Sequence, residues 1–264
     1  MQILLTKMQV FNPKEVDFNA SILFVGPRGC GKTTGMVDLL TKRVFCEGRP
    51  VNGTLVCPTV EVNPKWKEKF PPGQTYTTFD EVVVDALRRI CTKQTKKGEA
   101  VHTTGSSTGP RQKPRILVAD DIQYHGDGGK GSFFNCEPIK NILLNGRWLR
   151  VLFLVGCQDS RHIPKFLRTQ FTWVFLFRNT NLLDQENYWK DFGSTIPKEE
   201  FLRLYREVTK LPGSALVIRQ LQDKPGNDNR FYRYERAEKE VERFAVGSHK
   251  EWEKYSEPIK RFSF

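Results

Sequence analysis

Short runs of consecutive apolar residues recur along the chain, and most are separated by segments in which apolar residues lie three or four positions apart. Uninterrupted runs of this length predict strands buried on both faces, here over residues 21–25, 53–57, 115–119, 151–156 and 173–177. The wider spacing predicts helices over residues 32–45, 79–91 and 138–148. The alternation of the two patterns predicts an α/β fold in which helices flank a mostly parallel central sheet.

The second predicted helix has a sequence signal for its start. Thr78 is followed three residues later by Glu81, which is the spacing of a capping box. After this helix, residues 93–114 are rich in Lys, Gly, Ser and Thr and nearly free of large apolar side chains. This composition predicts a mobile basic loop. Two interpretations of the loop stay open: contact with DNA, and an insertion tolerated at the surface.

The pattern changes beyond residue 180. A helix is predicted over residues 197–208, and two strands over 214–221 and 230–236 flank a turn, which indicates a terminal β-hairpin. A short helix over residues 237–244 follows. The chain of 264 residues is long enough for one α/β domain with a substantial core, so we expect a single domain. Its parts are a core over about residues 18–222, the basic loop and a C-terminal tail over residues 237–264.

A glycine-rich string, GPRGCGKT at residues 26–33, directly follows the first predicted strand. It matches the pattern G-x-x-x-x-G-K-S/T, and a predicted helix begins behind it. In such a loop backbone N–H groups wrap a β-phosphate, the lysine reaches the β- and γ-oxygens, and the hydroxyl ligates Mg²⁺. We therefore expect a nucleoside triphosphate here, with Lys32 on the phosphates and Thr33 on the metal. The expected contacts are Gly26, Pro27, Arg28, Gly29, Cys30, Gly31, Lys32, Thr33 and Thr34.

Two adjacent carboxylates, Asp120 and Asp121, follow the apolar run at residues 116–119. Because successive side chains on a strand point in opposite directions, the two aspartates cannot perform the same task. We expect Asp120 to hold Mg²⁺ through its water shell. Asp121 would then orient or deprotonate the attacking water.

The run at residues 151–157 brings Gln158 to the carboxyl end of its strand, where open α/β sheets bind their ligands. Its amide can sense the γ-phosphate or hold the water. Phosphoryl transfer also needs positive charge in the transition state, which an arginine of a neighbouring subunit can supply. Arg147, Arg161 and Arg168 lie near this strand in sequence, and spacing alone does not select one of them.

Charge and cysteine usage limit the class of protein. The chain has 42 Lys and Arg against 30 Asp and Glu, a net charge of +12, which indicates an anionic partner larger than a nucleotide. Nucleic acid is the first candidate, and a solvated basic surface is the alternative. Six cysteines show neither a C-x-x-C pair nor zinc-site spacing, so we expect reduced thiols in an intracellular compartment. No apolar run approaches the roughly 20 residues of a membrane span, and we expect a soluble protein.

Four segments, taken in order, resemble the genome-packaging ATPases of poxviruses and other large DNA viruses, a branch of the FtsK/HerA superfamily of P-loop NTPases. They are GPRGCGKT, ILVADD, LLNGRWLRVLFLVGCQ and DSRHIPKFLR, which span approximately residues 20–190. The resemblance implies one P-loop ATPase domain over residues 1–264. It also implies that Asp120 and Asp121 form the Walker-B site, that Gln158 is a sensor, and that Arg147 acts across a subunit boundary. Trp148 departs from the family, which usually has histidine after the Gly-Arg pair, and the loop at residues 93–114 is longer than expected.

The resemblance also implies a function and its partners. The expected protein is a Mg²⁺-dependent ATPase that forms a homo-oligomeric ring and threads double-stranded viral DNA into a preformed capsid. ATP and Mg²⁺ are its cofactors, and a capsid or portal-region protein is a further partner. Its expected location is the host cytoplasm at the viral assembly site, with the virion as a second location. Two alternatives stay open: a nucleotide-gated DNA-binding or assembly protein without productive translocation, and a helicase-like motor on single-stranded nucleic acid.

Overall fold

Parallel pairing of strands that are apolar on both faces builds the centre of the structure. The computed structural model describes residues 8–45, 51–104, 114–122, 133–220, 230–236 and 244–257. Its strands are β1 Ser21–Val25, β2 Asn52–Val56, β3 Thr75–Tyr76, β4 Arg115–Ala119, β5 Val151–Cys157, β6 Trp173–Phe177, β7 Ala215–Arg219 and β8 Phe231–Tyr234. They form one sheet in the order β3-β2-β4-β5-β1-β6-β7-β8. All pairs from β3 to β6 are parallel, and β7 and β8 are antiparallel to their neighbours.

Helices lie between the strands along the chain. They are α1 Lys32–Leu40, α2 Glu81–Thr104, α3 Glu137–Leu149, α4 Lys165–Arg168, α5 Leu182–Tyr188, α6 Lys198–Val208 and α7 His249–Lys254. Two π-helical turns, Thr41–Phe45 and Trp189–Gly193, continue α1 and α5. The predicted fold class, a mostly parallel sheet flanked by helices, is confirmed. The predicted terminal hairpin is formed by β7 and β8, which continue the main sheet.

Burial on both faces explains why the strands read as unbroken apolar runs. Every residue of β1, β5 and β6 is buried. Side chains of β1 alternate between two cores, with Leu23 and Val25 in one and Ile22 and Phe24 in the other. The first core also contains residues of α2, α3 and α6, and the second contains residues of α1. Each fully buried aliphatic or aromatic side chain contributes about 1.5–3 kcal/mol through removal of apolar surface from water.

Helix α2 differs from the prediction at both ends. Its first N–H groups are capped by Asp80, whose Oδ1 accepts from the backbone N–H groups of Val82 (3.0 Å) and Val83 (3.2 Å). Thr78, predicted as the cap, instead donates its hydroxyl to Asp80 (2.8 Å). The helix also continues to Thr104, so the predicted mobile loop is wrong over residues 93–104. This stretch contains no proline, and half of its residues, three Lys with one Gln, one Glu and one Ala, extend an established helix at little cost.

The remaining part of the predicted basic loop, residues 105–113, lies outside the described residues. The same holds for residues 237–243 of the predicted short helix, and Phe244, its last predicted residue, is not helical. None of the helices in the described part of the chain is long and apolar enough to span a bilayer. The five cysteines within the described ranges are free thiols.

Two segments that are distant in sequence pack together beside β2. The connecting segment, residues 58–74, joins β2 to β3, and the C-terminal segment comprises residues 244–257. Backbone hydrogen bonds join them: Val246 N–H donates to Lys69 O (2.8 Å), and Gly73 N–H donates to Tyr255 O (2.9 Å). Phe244 and Val246 are buried in the second core. The C-terminal segment is therefore fixed to the connecting segment.

Candidate functional site

The phosphate loop occupies the turn between β1 and α1. Gly31 precedes the helix with φ = +111°, a conformation that glycine adopts without the steric cost of a Cβ. The helix then begins at Lys32, so its unpaired N–H groups and the positive end of its dipole lie at the loop. This is the local arrangement that binds phosphate groups.

Lys32 is held tightly within this loop. Its ammonium group donates to the backbone oxygens of Gly26 (2.7 Å) and Pro27 (2.9 Å), and the side chain is 5% exposed. The loop closes against the sheet through a hydrogen bond from Gly26 N–H to Cys157 O (3.3 Å). The lysine charge therefore lies at the carboxyl end of β1.

Asp120 meets the phosphate loop directly. One carboxylate oxygen, Oδ2, accepts from the Thr33 hydroxyl and from the Trp66 indole N–H, both at 2.7 Å. The other, Oδ1, accepts from the Asp121 backbone N–H (3.1 Å). Asp120 is completely buried, and this burial raises the pKa of its carboxyl, although the hydrogen bonds from Trp66 and Thr33 act in the opposite direction. The predicted proximity of the loop and the first acid is therefore present.

Sheet order explains how the carboxylate reaches the loop. Strand β5 lies between β1 and β4, so Asp120 must cross over β5 to contact Thr33 on α1. At the crossing point stands Gly156, which pairs with Phe24 of β1. A Cβ on Gly156 would overlap with Asp120 Oδ1 and with the terminal methyl of Met36. The absence of a side chain at this position therefore gives the carboxylate its path.

The chain turns sharply at Asp121, directly after Asp120. The φ of Asp121 is +53°, a value that is uncommon for residues other than glycine and most accessible to Asn and Asp. Its Oδ2 accepts from the Thr59 hydroxyl (2.9 Å), and the residue lines the cleft beside the phosphate loop. The two acids thus occupy different environments, although both follow the end of β4, so it is the turn and not alternation along the strand that separates them. Their predicted tasks stay a prediction.

A cleft of about 500 Å³ lies in front of these groups and is called the nucleotide cleft below. Six of the nine predicted contact residues line the cleft, together with Asp121 and Gln158. The other three, Gly26, Pro27 and Cys30, belong to the same loop but do not line the cleft. The lining residues are Arg28, Gly29, Gly31, Lys32, Thr33, Thr34, Thr59, Val62, Asn63, Pro64, Lys65, Asp121 and Gln158.

Sequence reasoning missed the contribution of the connecting segment. Thr59, Lys65 and Trp66 come from this segment, which leaves the carboxyl end of β2 at the same edge of the sheet. Their position could have been predicted, because the residues that follow each parallel strand lie at the same carboxyl edge of the sheet, where ligands bind. Gly156 was missed too, although an isolated glycine inside an apolar strand indicates a close approach by another group.

The three candidate arginines differ in position. Arg147 is in α3, and its neighbour Gly146 lies near Ser21 at the start of β1, so this end of α3 is at the amino edge of the sheet, opposite the nucleotide cleft. The Arg147 side chain is outside the described part of the structure. Arg168 donates to both oxygens of Asp191 (2.8 and 2.7 Å) and Arg161 pairs with Asp159, so both guanidinium groups are engaged within the chain. The role of Arg147 stays a prediction.

The cleft suits a magnesium ion carried by phosphate groups. Thr33 Oγ1 and Asp120 Oδ2 are oxygen atoms 2.7 Å apart that can ligate a metal ion, and oxygen ligands are those that Mg²⁺ prefers. Within the described ranges, no three or more His, Cys, Asp or Glu side chains cluster as metal ligands. This donor set fits an ion that keeps several waters and binds through one or two carboxylates and the substrate phosphates.

No family model matches the chain. Its sequence relatives include uncharacterized protein 075L of Invertebrate iridescent virus 6, 28% identical over 227 residues that cover 83% of this chain and 78% of the relative. Uncharacterized protein 015R of Frog virus 3 is 24% identical over 194 residues, and the match covers 71% of this chain and 54% of that relative. The chain thus spans about half the length of the frog-virus protein. The relatives are viral and bring no described activity.

Two solved structures share the fold. One is B204, the DNA-packaging ATPase from Sulfolobus Turreted Icosahedral Virus, with a TM-score of 0.53, 9% identity, and coverage of 83% of this chain and 98% of B204. The other contains ATPases 2 and 3 of EssC from Geobacillus thermodenitrificans, with a TM-score of 0.53, 14% identity, and coverage of 85% of this chain and 41% of that one. At these identities the similarity concerns the fold, which agrees with the predicted P-loop ATPase architecture.

The Gly156→Ala variant tests whether the path of the carboxylate needs an empty position on β5. We expect a loss of about 1–3 kcal/mol in the free energy of unfolding, because the added methyl overlaps with Asp120 and Met36. Equilibrium urea denaturation measures this. Gly146→Ala in α3 is the matched control: its new methyl would meet Asn19 O at 3.7 Å, so stability should stay the same or rise by up to about 1 kcal/mol. Equal losses in both variants would contradict the interpretation.

The Asp120→Asn variant tests the direction of the pKa shift. Burial raises the pKa of Asp120, so the fold disfavours the ionised carboxyl, and the native protein loses stability as pH rises above the ordinary carboxyl pKa. We expect the melting temperature of Asp120→Asn, relative to the parent, to increase as the pH rises from about 4 to about 8, because only the parent has to ionise a buried group over this range. Thermal unfolding across this range measures it, and Asp121→Asn, at a half-buried position, serves as the control. A relative melting temperature that falls as the pH rises would show that the hydrogen bonds outweigh burial.

Proposed function

We propose that this chain is a Mg²⁺-dependent ATPase that assembles as a homo-oligomeric ring and drives double-stranded viral DNA into a capsid. The observation that carries the ATPase step is the contact between the phosphate loop and Asp120: Asp120 Oδ2 lies 2.7 Å from the Oγ1 of Thr33, which lines the nucleotide cleft. Hydrolysis of a triphosphate needs the hydroxyl of the phosphate loop and the carboxylate within reach of one metal ion.

The residues of the cleft take distinct roles in this proposal. Lys32 and the backbone N–H groups at the start of α1 hold the β- and γ-phosphates. Bound Mg²⁺ would neutralise phosphate charge, held by Thr33 and, through water, by Asp120. Asp121 orients the attacking water, and the hydrogen bond from Thr59 fixes its carboxylate for that task. Gln158, which lines the cleft at the end of β5, senses the γ-phosphate.

The packaging step rests on resemblance and charge. The ordered motifs resemble viral packaging ATPases, the sequence relatives are viral proteins, and B204, which shares the fold, is described as a DNA-packaging ATPase. The net charge of +12 supports a polyanionic partner. Because a motor must pass over any sequence, its contacts should be mainly with DNA phosphates. A capsid or portal-region protein is the partner that would hold the ring in place, in the host cytoplasm.

Turnover of ATP with and without duplex DNA tests this function. We expect hydrolysis that needs Mg²⁺ and rises on addition of duplex, and we expect Lys32→Ala and Asp121→Asn each to lower it by about 10²–10³-fold. Lys14→Ala, which changes an exposed lysine far from the phosphate loop in sequence, is the control and should keep normal turnover. Nucleotide binding without stimulated turnover would instead support an assembly protein. Stimulation only by single strands would support a helicase-like motor.

Mixing of two inactive variants tests the proposed role of Arg147. If one subunit supplies Lys32 and its neighbour supplies Arg147, equal amounts of Lys32→Ala and Arg147→Ala subunits form intact sites at roughly a quarter of their interfaces. We therefore expect partial recovery of ATP turnover in the mixture. A mixture of Lys32→Ala with Asp121→Asn should not recover, because both changes lie in the same cleft. Normal turnover by Arg147→Ala alone would remove this residue from the mechanism.

A further inference from the structure

A second cleft, of about 570 Å³, lies at the β3 edge of the sheet and is called the basic cleft here. It is enclosed by the first part of α2, the end of the connecting segment and the C-terminal segment. Its volume falls within the usual range for small-ligand sites. It shares no lining residue with the nucleotide cleft. The lining residues are Gly73, Gln74, Tyr76, Val82, Ala86, Arg89, Ile90, Lys93, Arg115, Lys254, Tyr255, Ser256 and Glu257.

Cations from three parts of the fold converge on the basic cleft. Arg89 and Lys93 are four residues apart on α2 and therefore share one face of the helix. Arg115 begins β4 and Lys254 ends α7, whereas Glu257 is the one carboxylate in the lining. The salt bridges formed among described residues involve none of these four cations. With four cations and one carboxylate, the lining of the cleft therefore has a surplus of positive charge, and Glu251 is a further acidic group near Arg115.

Arg115 is the most constrained of these cations. Its Nε is buried and has no hydrogen-bond partner among the described residues, an arrangement that is destabilising and rare in native proteins. Burial also lowers the pKa of its guanidinium, and the nearby Glu251 only partly opposes this. An anion bound in the cleft would compensate for the water that the Arg115 guanidinium loses on burial, and would thereby stabilise the folded chain.

We propose that the basic cleft binds a phosphate-bearing ligand through Arg89, Arg115 and Lys254. Phosphate matches the surplus charge, and the planar guanidinium groups of two arginines suit its oxygens. The phosphate groups can come from a nucleic-acid backbone or from a free polyphosphate. The ligand lies away from the nucleotide cleft, because β4 separates Arg115 from Asp120 by a strand of five residues, roughly 15 Å. This proposal does not require that the chain hydrolyse ATP.

Binding measurements with two probes test the proposal. The full chain carries Lys32→Ala in every sample, which suppresses polyphosphate binding at the phosphate loop. Arg89→Gln combined with Lys254→Gln removes two exposed cations from the basic cleft. The control combines Lys14→Gln with Arg203→Gln, which are exposed cations outside both clefts and lower the net charge by the same amount. The probes are a fluorescent 30-base-pair duplex followed by anisotropy, and tripolyphosphate followed by calorimetry.

We expect the cleft variant to bind at least one probe about tenfold more weakly than the control. For duplex DNA, the slope of log K against log salt concentration should fall by about two, one for each lost phosphate contact. Loss confined to the duplex assigns the ligand to a nucleic-acid backbone, loss confined to tripolyphosphate assigns it to a free polyphosphate, and loss of both supports phosphate groups in general. Equal binding by the cleft variant and the control, for both probes, would overturn the proposal.

Two further measurements keep the result interpretable. Thermal unfolding of each variant checks that the fold is retained, and Lys93→Gln with Lys254→Gln provides a second cleft variant should the first be unstable. ATP turnover of the chain without Lys32→Ala is measured separately. A basic cleft that binds neither probe leaves the hydrolysis result unchanged, so failure of this proposal and failure of the proposed ATPase are distinguishable.

Discussion

The hydrogen bonds to the buried Asp120 carboxylate hold three elements together at the carboxyl edge of the sheet. A charged group without solvent contact is costly unless donors surround it, and here they come from three separate parts of the chain: Thr33, Trp66 and the Asp121 backbone. Each donor fixes one element relative to the others. The first fixes α1, the second the connecting segment, and the third the turn after β4. The position of the phosphate loop relative to the two acids follows from this one group.

The sequence was most informative where local rules decide the structure. Strands β1, β4 and β6 match their predicted ranges, because burial on both faces leaves an unbroken apolar run in the sequence. The phosphate loop could be located because its chemistry is contained in eight consecutive residues. Helix α2 was predicted too short, since the polar composition of residues 93–104 was interpreted as a loop although half of these residues also favour helix.

Contacts between distant parts of the chain could not be predicted in the same way. Trp66 lies 54 positions from Asp120, in a segment without a recognised motif, and nothing nearby in sequence indicates that its indole N–H meets a carboxylate. The path across Gly156 depends on which strand lies between β1 and β4, which is a property of the sheet order. The connecting segment joins the two clefts physically: Trp66 and Lys65 contact the acid and the nucleotide cleft, whereas Gly73 and Gln74 line the basic cleft.

In the proposed ring, where residue 147 of one copy acts at the phosphate loop of the next, the location of the end of α3 restricts how the copies associate. Residue 147 lies at the amino edge of the sheet, and the phosphate loop lies at the carboxyl edge. A two-fold axis pairs identical surfaces. In a symmetric dimer, residue 147 of each chain therefore reaches the phosphate loop of the other only if both edges of the sheet take part in one self-complementary contact. When the amino edge of one chain instead meets the carboxyl edge of the next, the copies form a polar, head-to-tail succession. Such a succession either closes, when its rotation per copy divides a full turn, or grows into a filament.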